Sequence, residues 1–348
     1  MTKTLRKLAL IVAGVAAAVA AACTPPVTPE PEQPPPAPAM LLPEALGAGI
    51  TVHLLHRGQG STDESIVTRS GSRPISDPAD ATDQALLAQM DGHLDPATGR
   101  ILVGDTDAWS TTAEVGVCAA IGSHDCSAFP GTGWAHAFNF SPDGTKVAIV
   151  TPYGPFGDSV DGRLQIFDVA TRSEITRADD VIAVFGPPRW RPTSDAVAFS
   201  ILRTTDNPYA GDLAVLRTAT AATPATLVAG SEHALVTHVL GWGTSGRLTF
   251  TTIDPEATFP GGTSLRSVAA SGGPVRDLMT VESMYPGIAL RDGSVLANQP
   301  GTVGLASVPH LVRDVEGSTP QPLSTPISWT EGVRTRWSNT LVLGAVAG

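Results

Sequence analysis

Charged and aromatic residues are scarce in this chain. Asp, Glu, Lys and Arg make up 16% of its 348 residues, and Phe, Trp and Tyr only 5%. No stripe of Lys and Arg occurs, which argues against a nucleic-acid groove and against a polybasic membrane-surface patch. After the first 22 residues no apolar run is long enough to span a bilayer. The 35 glycines and 30 prolines indicate many turns and few long helices.

Motifs that carry catalysis are lacking as well. The sequence has no Gly-x-Ser-x-Gly elbow, no His-Glu-x-x-His pair, no P-loop and no dinucleotide fingerprint. Gly243–Gly246 comes close to the elbow without its spacing. We therefore predict no catalytic residues, no cofactor and no metal ligands, and we favour a protein that is not an enzyme.

The N-terminus has the pattern of an export signal. Lys3, Arg6 and Lys7 form a positive start, 8–22 is an apolar Ala-rich run, and small residues precede Cys23. The stretch Val19–Cys23 resembles the lipobox of bacterial lipoproteins, with Ala20 where Leu or Val is usual. We predict a signal peptide over 1–22 and a palmitate-bearing lipid anchor at Cys23. Ordinary cleavage and an uncleaved anchor remain the alternatives.

Residues 23–48 are predicted to be a linker. Prolines crowd the stretch 24–38, and proline removes amide donors and fixes φ, so an extended polyproline conformation is expected. Without residues 1–22 the chain has 19 basic and 33 acidic residues, a formal charge of −14. The folded domain is expected over 49–348.

Two cysteines remain once Cys23 is lipidated. Cys118 and Cys126 are eight residues apart, and in an oxidising compartment we expect them to form a disulfide. Two buried free thiols are the alternative. A metal site that combines Cys118, His124 and Cys126 is a third, less favoured interpretation.

A short phrase returns six times at nearly constant spacing. Its clearest copy is Phe140–Ile149, in which a large apolar residue, here called the anchor, is followed by a polar turn and an alternating strand. The anchors are residues 94, 140, 190, 242, 290 and 337, so the period is 46 to 52 residues. Each period predicts four strands, and a repeat of this kind is typical of a β-propeller.

The phrase Phe140–Ala148 resembles the repeat of TolB-type, WD40-like six-bladed β-propellers, and Ile175-Thr176 resembles the dipeptide that precedes an anchor there. The resemblance implies an all-β propeller of six blades that serves as an interaction platform. Two N-terminal strands (about 50–55 and 65–69) and two C-terminal strands (about 334–337 and 340–346) are predicted to share the last blade and so close the ring.

Histidines near the anchors raise the possibility of a channel site. In a propeller the innermost strands line the central channel, and ordinary polar contacts are the favoured interpretation of these side chains. The histidines concerned are His93, His136, His233 and His238. Four tryptophans are predicted to fill the gaps between blades: Trp134, Trp190, Trp242 and Trp337.

The sequence thus favours a monomeric binding module of the bacterial cell envelope, held on the extracytoplasmic side of a membrane. Its partner is expected to be another envelope protein or a peptide, and not nucleic acid. Two alternatives remain. One is a metal-dependent propeller enzyme, lactonase- or lyase-like, with a site in the channel, and the other is a lipoprotein that binds a glycan or small molecule.

Overall fold

A computed structural model describes a nearly all-β chain. The described residues are 49–57, 62–75, 80–104, 114–153, 161–182, 187–202, 211–219, 223–231, 234–243, 245–254, 256–257, 262–282, 286–290, 293–299, 307–314, 319–323, 328–331, 334–337 and 339–347. The predicted signal peptide, Cys23 and the linker lie outside these ranges, as do Trp109 and His233. In the part of the chain that is described, no helix has the length and apolar character needed to cross a bilayer.

The first strands form an antiparallel meander and lead into a helix. Alternating apolar residues, with Val52, Leu54 and Val67 buried, direct one face of this meander into the core. The elements are β1 (Ile50–Arg57), β2 (Thr62–Thr68), β3 (Gly71–Pro74) and α1 (Ala81–Met90).

Helix α1 corrects the expectation that the chain is strand-like throughout. Asp80 caps its N-terminus, because the carboxylate accepts hydrogen bonds from the backbone N–H groups of Thr82 and Asp83. Ala, Leu, Gln and Met fill most of 81–90, and all of them favour helix. Asp83 is buried and paired with Arg73, which ties the helix to β3.

Five meanders follow along the chain, each antiparallel. The first is a three-stranded sheet preceded by a single bridge between Leu94 and Ile101, and its strands are β4 (Ile101–Val103), β5 (Gly116–Cys118) and β6 (Cys126–Ala128). The second has the strands β7 (Ala137–Phe140), β8 (Lys146–Pro152), β9 (Asp161–Asp168) and β10 (Glu174–Ile182).

The third meander has the strands β11 (Arg189–Trp190), β12 (Ala196–Leu202), β13 (Gly211–Arg217) and β14 (Ala225–Val228). One residue pair, Val181 with Ile201, joins β10 to β12, so the second and third meanders form one hydrogen-bonded path. The fourth has β15 (Leu235–Trp242), β16 (Arg247–Ile253), β17 (Thr263–Ala269) and β18 (Arg276–Thr280). The fifth has β19 (Gly287–Ala289), β20 (Val295–Gln299), β21 (Val308–Val312) and β22 (Gln321–Pro322).

The chain ends join in one sheet, although not in the predicted proportion. The last strands are β23 (Ser328–Glu331), β24 (Arg334–Trp337) and β25 (Asn339–Ala347). β25 pairs with β1, which gives the order β25-β1-β2-β3. Three strands therefore come from the N-terminal side and one from the C-terminal side, instead of two and two. β24 was expected in this sheet, but it pairs with β23 in a separate hairpin.

A buried histidine reinforces the joint between the chain ends. His56 of β1 contacts Thr340 Oγ1 of β25 through Nδ1 (3.3 Å) and Ser65 Oγ of β2 through Nε2 (2.8 Å). His53, three residues earlier, contacts Glu64 instead (2.8 Å) and lies at a more exposed site. Burial lowers the pKa of His56, although Asp63 acts in the opposite direction. The two histidines lie on opposite faces of β1 because they are three residues apart on a strand, and their environments therefore differ.

The anchors occupy corresponding places in successive sheets. Phe140, Trp190 and Trp242 end the first strand of their sheets, and Leu290 directly follows β19. Trp190 and Trp242 are buried between neighbouring sheets, which confirms their predicted packing role. Trp134 is only half-buried in a turn with left-handed backbone (φ 69°), so it is not a wedge of this kind. The side chain of Trp337 lies outside the described part of the chain.

The turn after each of five anchors contains one residue in the left-handed region. An Asp-Gly pair occupies only two of these turns, at 143–144 and 292–293, yet a left-handed residue recurs in all five. The φ values are 74° at Gly99, 66° at Gly144, 59° at Ser194, 74° at Gly246 and 90° at Gly293. Ser194 is the one member with a side chain, and its Oγ accepts a hydrogen bond from the N–H of Asp143 in the preceding turn (3.1 Å). The left-handed backbone of Ser194 is strained, and the hydrogen bond to Asp143 in the neighbouring turn offsets that strain.

Substitutions at Ser194 should separate this strain from the contact. Ser194→Ala keeps the strained φ and loses the bond to Asp143, so we expect the free energy of unfolding to fall by about 1 kcal/mol. Ser194→Gly loses the same bond but relieves a left-handed strain of about 1 kcal/mol, so its loss should be smaller. Urea denaturation of both variants measures the difference. A glycine variant less stable than the alanine variant would contradict the assignment.

Candidate functional site

The two cysteines predicted to pair lie opposite each other on β5 and β6. Cys118 faces Cys126 in the strand register, and a disulfide joins them. Sulfurs in a disulfide are not thiolates, so the alternative metal site with His124 has no sulfur ligand in this state. His124 itself is exposed in the connecting turn. The bond closes the outer hairpin of this sheet and therefore acts on structure.

Four titratable side chains, one at the end of α1 and three from different meanders, are linked by interactions between their charges. We call Asp91, His93, Arg189 and His238 the inner cluster. Asp91 caps the C-terminus of α1, His93 lies just before the anchor Leu94, Arg189 opens β11, and His238 lies within β15. The charge of Arg189 acts on His238, and the charge of Asp91 acts on both Arg189 and His93. The central strands thus bring together residues up to 147 positions apart in the sequence.

The guanidinium of Arg189 is at the centre of the inner cluster. Its Nε donates to the carbonyl oxygen of Val239 on the neighbouring first strand (3.1 Å). Burial lowers the pKa of Arg189, and the negative charge of Asp91 acts against that shift. Arginine nevertheless keeps its proton in proteins, so this site holds a permanent positive charge.

His238 is held neutral beside that charge. Its backbone N–H donates to Thr251 Oγ1 (3.1 Å), and its Nδ1 contacts Thr237 Oγ1 (3.3 Å). Burial, followed by the positive charge of Arg189, lowers the pKa of His238 to about 4. The imidazole is therefore uncharged at neutral pH.

His93 is also kept neutral, by packing. Its ring stacks on Phe138 of the next sheet, with the ring centroids 4.4 Å apart and the planes at 23°. Burial lowers the pKa of His93, while Asp91 and the backbone of Phe138 act against the shift. His136, expected in the same region, has its pKa lowered by burial, and its backbone N–H donates to Val150.

Asn139 spans the gap between the first strands of three sheets. Its Nδ2 donates to the carbonyl oxygen of Pro188 (2.6 Å), one residue before Arg189. On the other side, Gly92 approaches so closely that a Cβ there would lie 2.9 Å from the Cβ of Asn139. Asn139 Oδ1 is buried and has no hydrogen-bond partner. This asparagine sets the distance between the turn that follows α1 and the strand that carries Arg189.

The polar side chains lie on one side of the repeat. The residue directly before the anchor is His93, Asn139 and Arg189 in three successive sheets, and Gly241 and Ala289 in the next two. A Cβ on Gly241 would lie 2.9 Å from the Cβ of Ala289, so the backbones approach closely there. Polar side chains thus precede the anchors of the first three meanders after α1, and small residues precede those of the next two.

The inner cluster suits an anion better than a metal ion. Within the described ranges, no three His, Cys, Asp or Glu side chains are grouped so that they could hold a metal. The guanidinium of Arg189 would also repel a divalent cation near His238. The planar N–H groups of Arg189 match the geometry of a carboxylate.

Sequence reasoning found His93 and His238 near the anchors but missed Arg189, Asp91 and Asn139. Their signal was available, since Asn139 and Arg189 directly precede an anchor and so occupy equivalent places in the repeat. Asp91 gave no such signal, because its place depends on helix α1.

The described cavity beside this region is a narrow cleft with mainly apolar walls. Its lining residues are Val150, Val181, Ile182, Pro187, Pro188, Phe199, Ser200 and Val239. It has room only for a water-sized molecule. A ligand larger than water could not enter this cleft.

No known family model matches the chain, and no curated protein does. Solved structures with a similar backbone include TolB from Acinetobacter baumannii, at 12% identity and a TM-score of 0.43 over 81% of this chain and 76% of that one. The β-propeller domain of the Trilobed protease from Pyrococcus furiosus has 13% identity and a TM-score of 0.45, over 84% and 87%. An oligogalacturonate lyase in complex with manganese has 13% identity and a TM-score of 0.47, over 68% and 65%.

Two TolB structures are among these neighbours. The identities and TM-scores are too low to transfer an activity, a ligand or a partner to this chain.

The depressed pKa of His238 should make folding sensitive to acid. In the unfolded chain this histidine binds a proton near its ordinary value of 6.5, whereas in the folded chain it does so only near about 4. The unfolded state thus binds more protons between these values, and stability falls as the pH drops through that window. Between about pH 7 and pH 5 the free energy of unfolding of the unchanged chain should therefore fall. We expect it to fall by about 1 to 2 kcal/mol less in His238→Gln.

Urea denaturation at the two pH values measures this difference. The matched control is His53→Gln, which removes a histidine of another sheet that is paired with Glu64. An unchanged pH dependence in His238→Gln would show that its imidazole is not held neutral.

Proposed function

We propose that this chain is an exported, lipid-anchored protein of the bacterial cell envelope, and that its folded domain is a non-enzymatic module that binds a protein or peptide. We further propose that its sheets close into a six-bladed β-propeller. The charge pattern of 1–22 and the lipobox-like stretch before Cys23 support export and anchoring. The repeat of anchors and the pairing of β25 with β1 support ring closure.

One observation carries the binding proposal. Arg189, a half-buried cation on a first strand, uses Nε for a backbone carbonyl, and its charge interacts with the neutral His238 and the exposed Asp91. Such a charge is costly to enclose unless it is paired, and it is most useful where a ligand completes its hydrogen bonds. Propellers commonly bind at the mouth of the central channel, where the first strands meet.

The metal-dependent enzyme is the weaker alternative. A hydrolytic or lyase metal needs several anionic or imidazole ligands, whereas the inner cluster presents a guanidinium to its nearest imidazole. The glycan or small-molecule alternative has no aromatic platform to support it in the described ranges near this cluster. Both alternatives are separated from the proposal by the ligand tests below.

Lipidation at Cys23 is testable from the mass of the purified chain. We expect the mature N-terminus to be Cys23 carrying a diacylglycerol group, with the protein in the membrane fraction. Cys23→Ser should lose the lipid mass, because serine has no thiol to acylate. The matched control, Cys118→Ser with Cys126→Ser, removes the other two cysteines and should keep the lipid. A mature terminus elsewhere, or an unchanged mass in Cys23→Ser, would refute the anchor.

Partner binding at the inner cluster is testable by crosslinking in intact cells. A photoreactive benzoylphenylalanine at Asp91 should capture a defined protein or peptide, because this side chain is exposed beside Arg189. The control position is Val275, an exposed residue between the outer strands β17 and β18. The proposal expects a product at position 91 that is absent at position 275. Identical products at both positions, or none at position 91, would count against it.

A further inference from the structure

The hydrogen-bonding capacity of Arg189 is largely unused. A guanidinium has five N–H donors, and the structure assigns Arg189 one bond, from Nε to Val239 (3.1 Å). Throughout the described residues, neither Nη group of Arg189 has a hydrogen-bond partner, and no carboxylate lies within ion-pair distance. The bond from Nε orients the plane of the guanidinium, and the two Nη groups can therefore donate hydrogen bonds to a ligand.

Another enclosed arginine of the same chain shows what full pairing looks like. Arg247 Nε contacts Asp314 Oδ2 at 2.7 Å, and its Nη2 donates to the carbonyl oxygen of Ser267 (3.1 Å). Ser267 Oγ in turn donates to Asp314 Oδ1 (2.8 Å). Arg247 is thus satisfied within the protein, as a structural arginine should be. Arg189 has comparable enclosure without such a partner, which sets it apart.

The surroundings of Arg189 favour a singly charged anion. Asp91 contributes a negative charge close enough to act on Arg189 without forming an ion pair with it. A dianion such as phosphate would be repelled by this carboxylate more strongly than a monoanion. A carboxylate carries one charge and accepts two parallel N–H bonds from a guanidinium. The neutral imidazole of His238 adds no second positive charge to the site.

We infer that Arg189 is a carboxylate-binding residue, and that it takes the carboxylate of a peptide at the inner cluster through its two Nη groups. The inference rests on the proposed function, which supplies the peptide, and it names the chemistry by which the module recognises it. His238 and Asp91 are positioning residues around the bound carboxylate. A bound carboxylate compensates the charge of Arg189, so it should also ease protonation of His238.

The test is an NMR titration of the full mature chain with a small probe. N-acetyl-alanyl-alanine has one free carboxylate, and its C-terminal amide is the matched uncharged control. We expect saturable shifts of the His238 imidazole and the Arg189 side chain with the acid, and none with the amide at equal ionic strength. The acid should also raise the pH at which the His238 imidazole titrates. Binding of the amide as tightly as the acid would overturn the inference.

Variants separate charge from geometry. Arg189→Lys keeps the charge but loses the planar fork, so we expect affinity for the acid at least about tenfold weaker. Arg189→Met should abolish binding, while Arg247→Lys, whose arginine is paired with Asp314, should leave it unchanged. Thermal melts check that each variant is folded. Should Arg189→Met not fold, the comparison of acid with amide on the unchanged chain still decides the matter.

The outcomes distinguish this inference from the proposed function. If the acid fails to bind but the crosslink at position 91 stands, the carboxylate site is wrong and the binding function survives. If both fail, both are wrong. Tight binding of a sugar acid such as glucuronate, with no binding of the peptide acid, would overturn the peptide assignment and favour a glycan ligand. Binding of the peptide acid that depends on Arg189 supports the inference.

Discussion

A hydrogen bond between neighbouring sheets sets the geometry on which the rest of the structure depends. The indole N–H of an anchor tryptophan donates to the backbone carbonyl just before the preceding anchor: Trp242 to Arg189 at 3.1 Å, and Trp190 to Asn139 at 3.4 Å. The two bonds are related by one period of the repeat. Because a buried indole N–H is costly without a partner, each bond fixes one first strand against the next. The sheets thus follow one another at a nearly constant spacing.

The same constraint creates the inner cluster. The backbone carbonyl of Arg189 accepts the indole N–H of Trp242, and the side chain of Arg189 reaches the same neighbouring strand, where Nε donates to the carbonyl oxygen of Val239. Asn139 bonds Pro188 in the same way and holds the preceding sheet at its distance. The guanidinium of Arg189 would have to break its hydrogen bond to Val239 to move into solvent. Recognition chemistry and fold are therefore carried by the same positions of the repeat.

Much of the fold could be predicted from local pattern. Strands β9, β13 and β17 follow the predicted pattern of four strands per period, because alternation of apolar and polar residues is a strong signal for half-buried strands. Helix α1 was not predicted, because a single short helix does not disturb the spacing of the repeat. The division of strands at the chain ends was also wrong. It depends on which segments meet across more than 280 residues, and no local pattern encodes that pairing.

The sequence by itself determined the period, the strand class, the cysteines able to pair and the targeting pattern before Cys23, since these depend on neighbours along the chain. Only the tertiary structure decided that the charges of Asp91, Arg189 and His238 interact, that three N-terminal strands and one C-terminal strand share a sheet, and that Ser194 takes a glycine-like conformation. Electrostatics and pairing depend on distance in space, and the fold sets that distance between residues far apart in sequence.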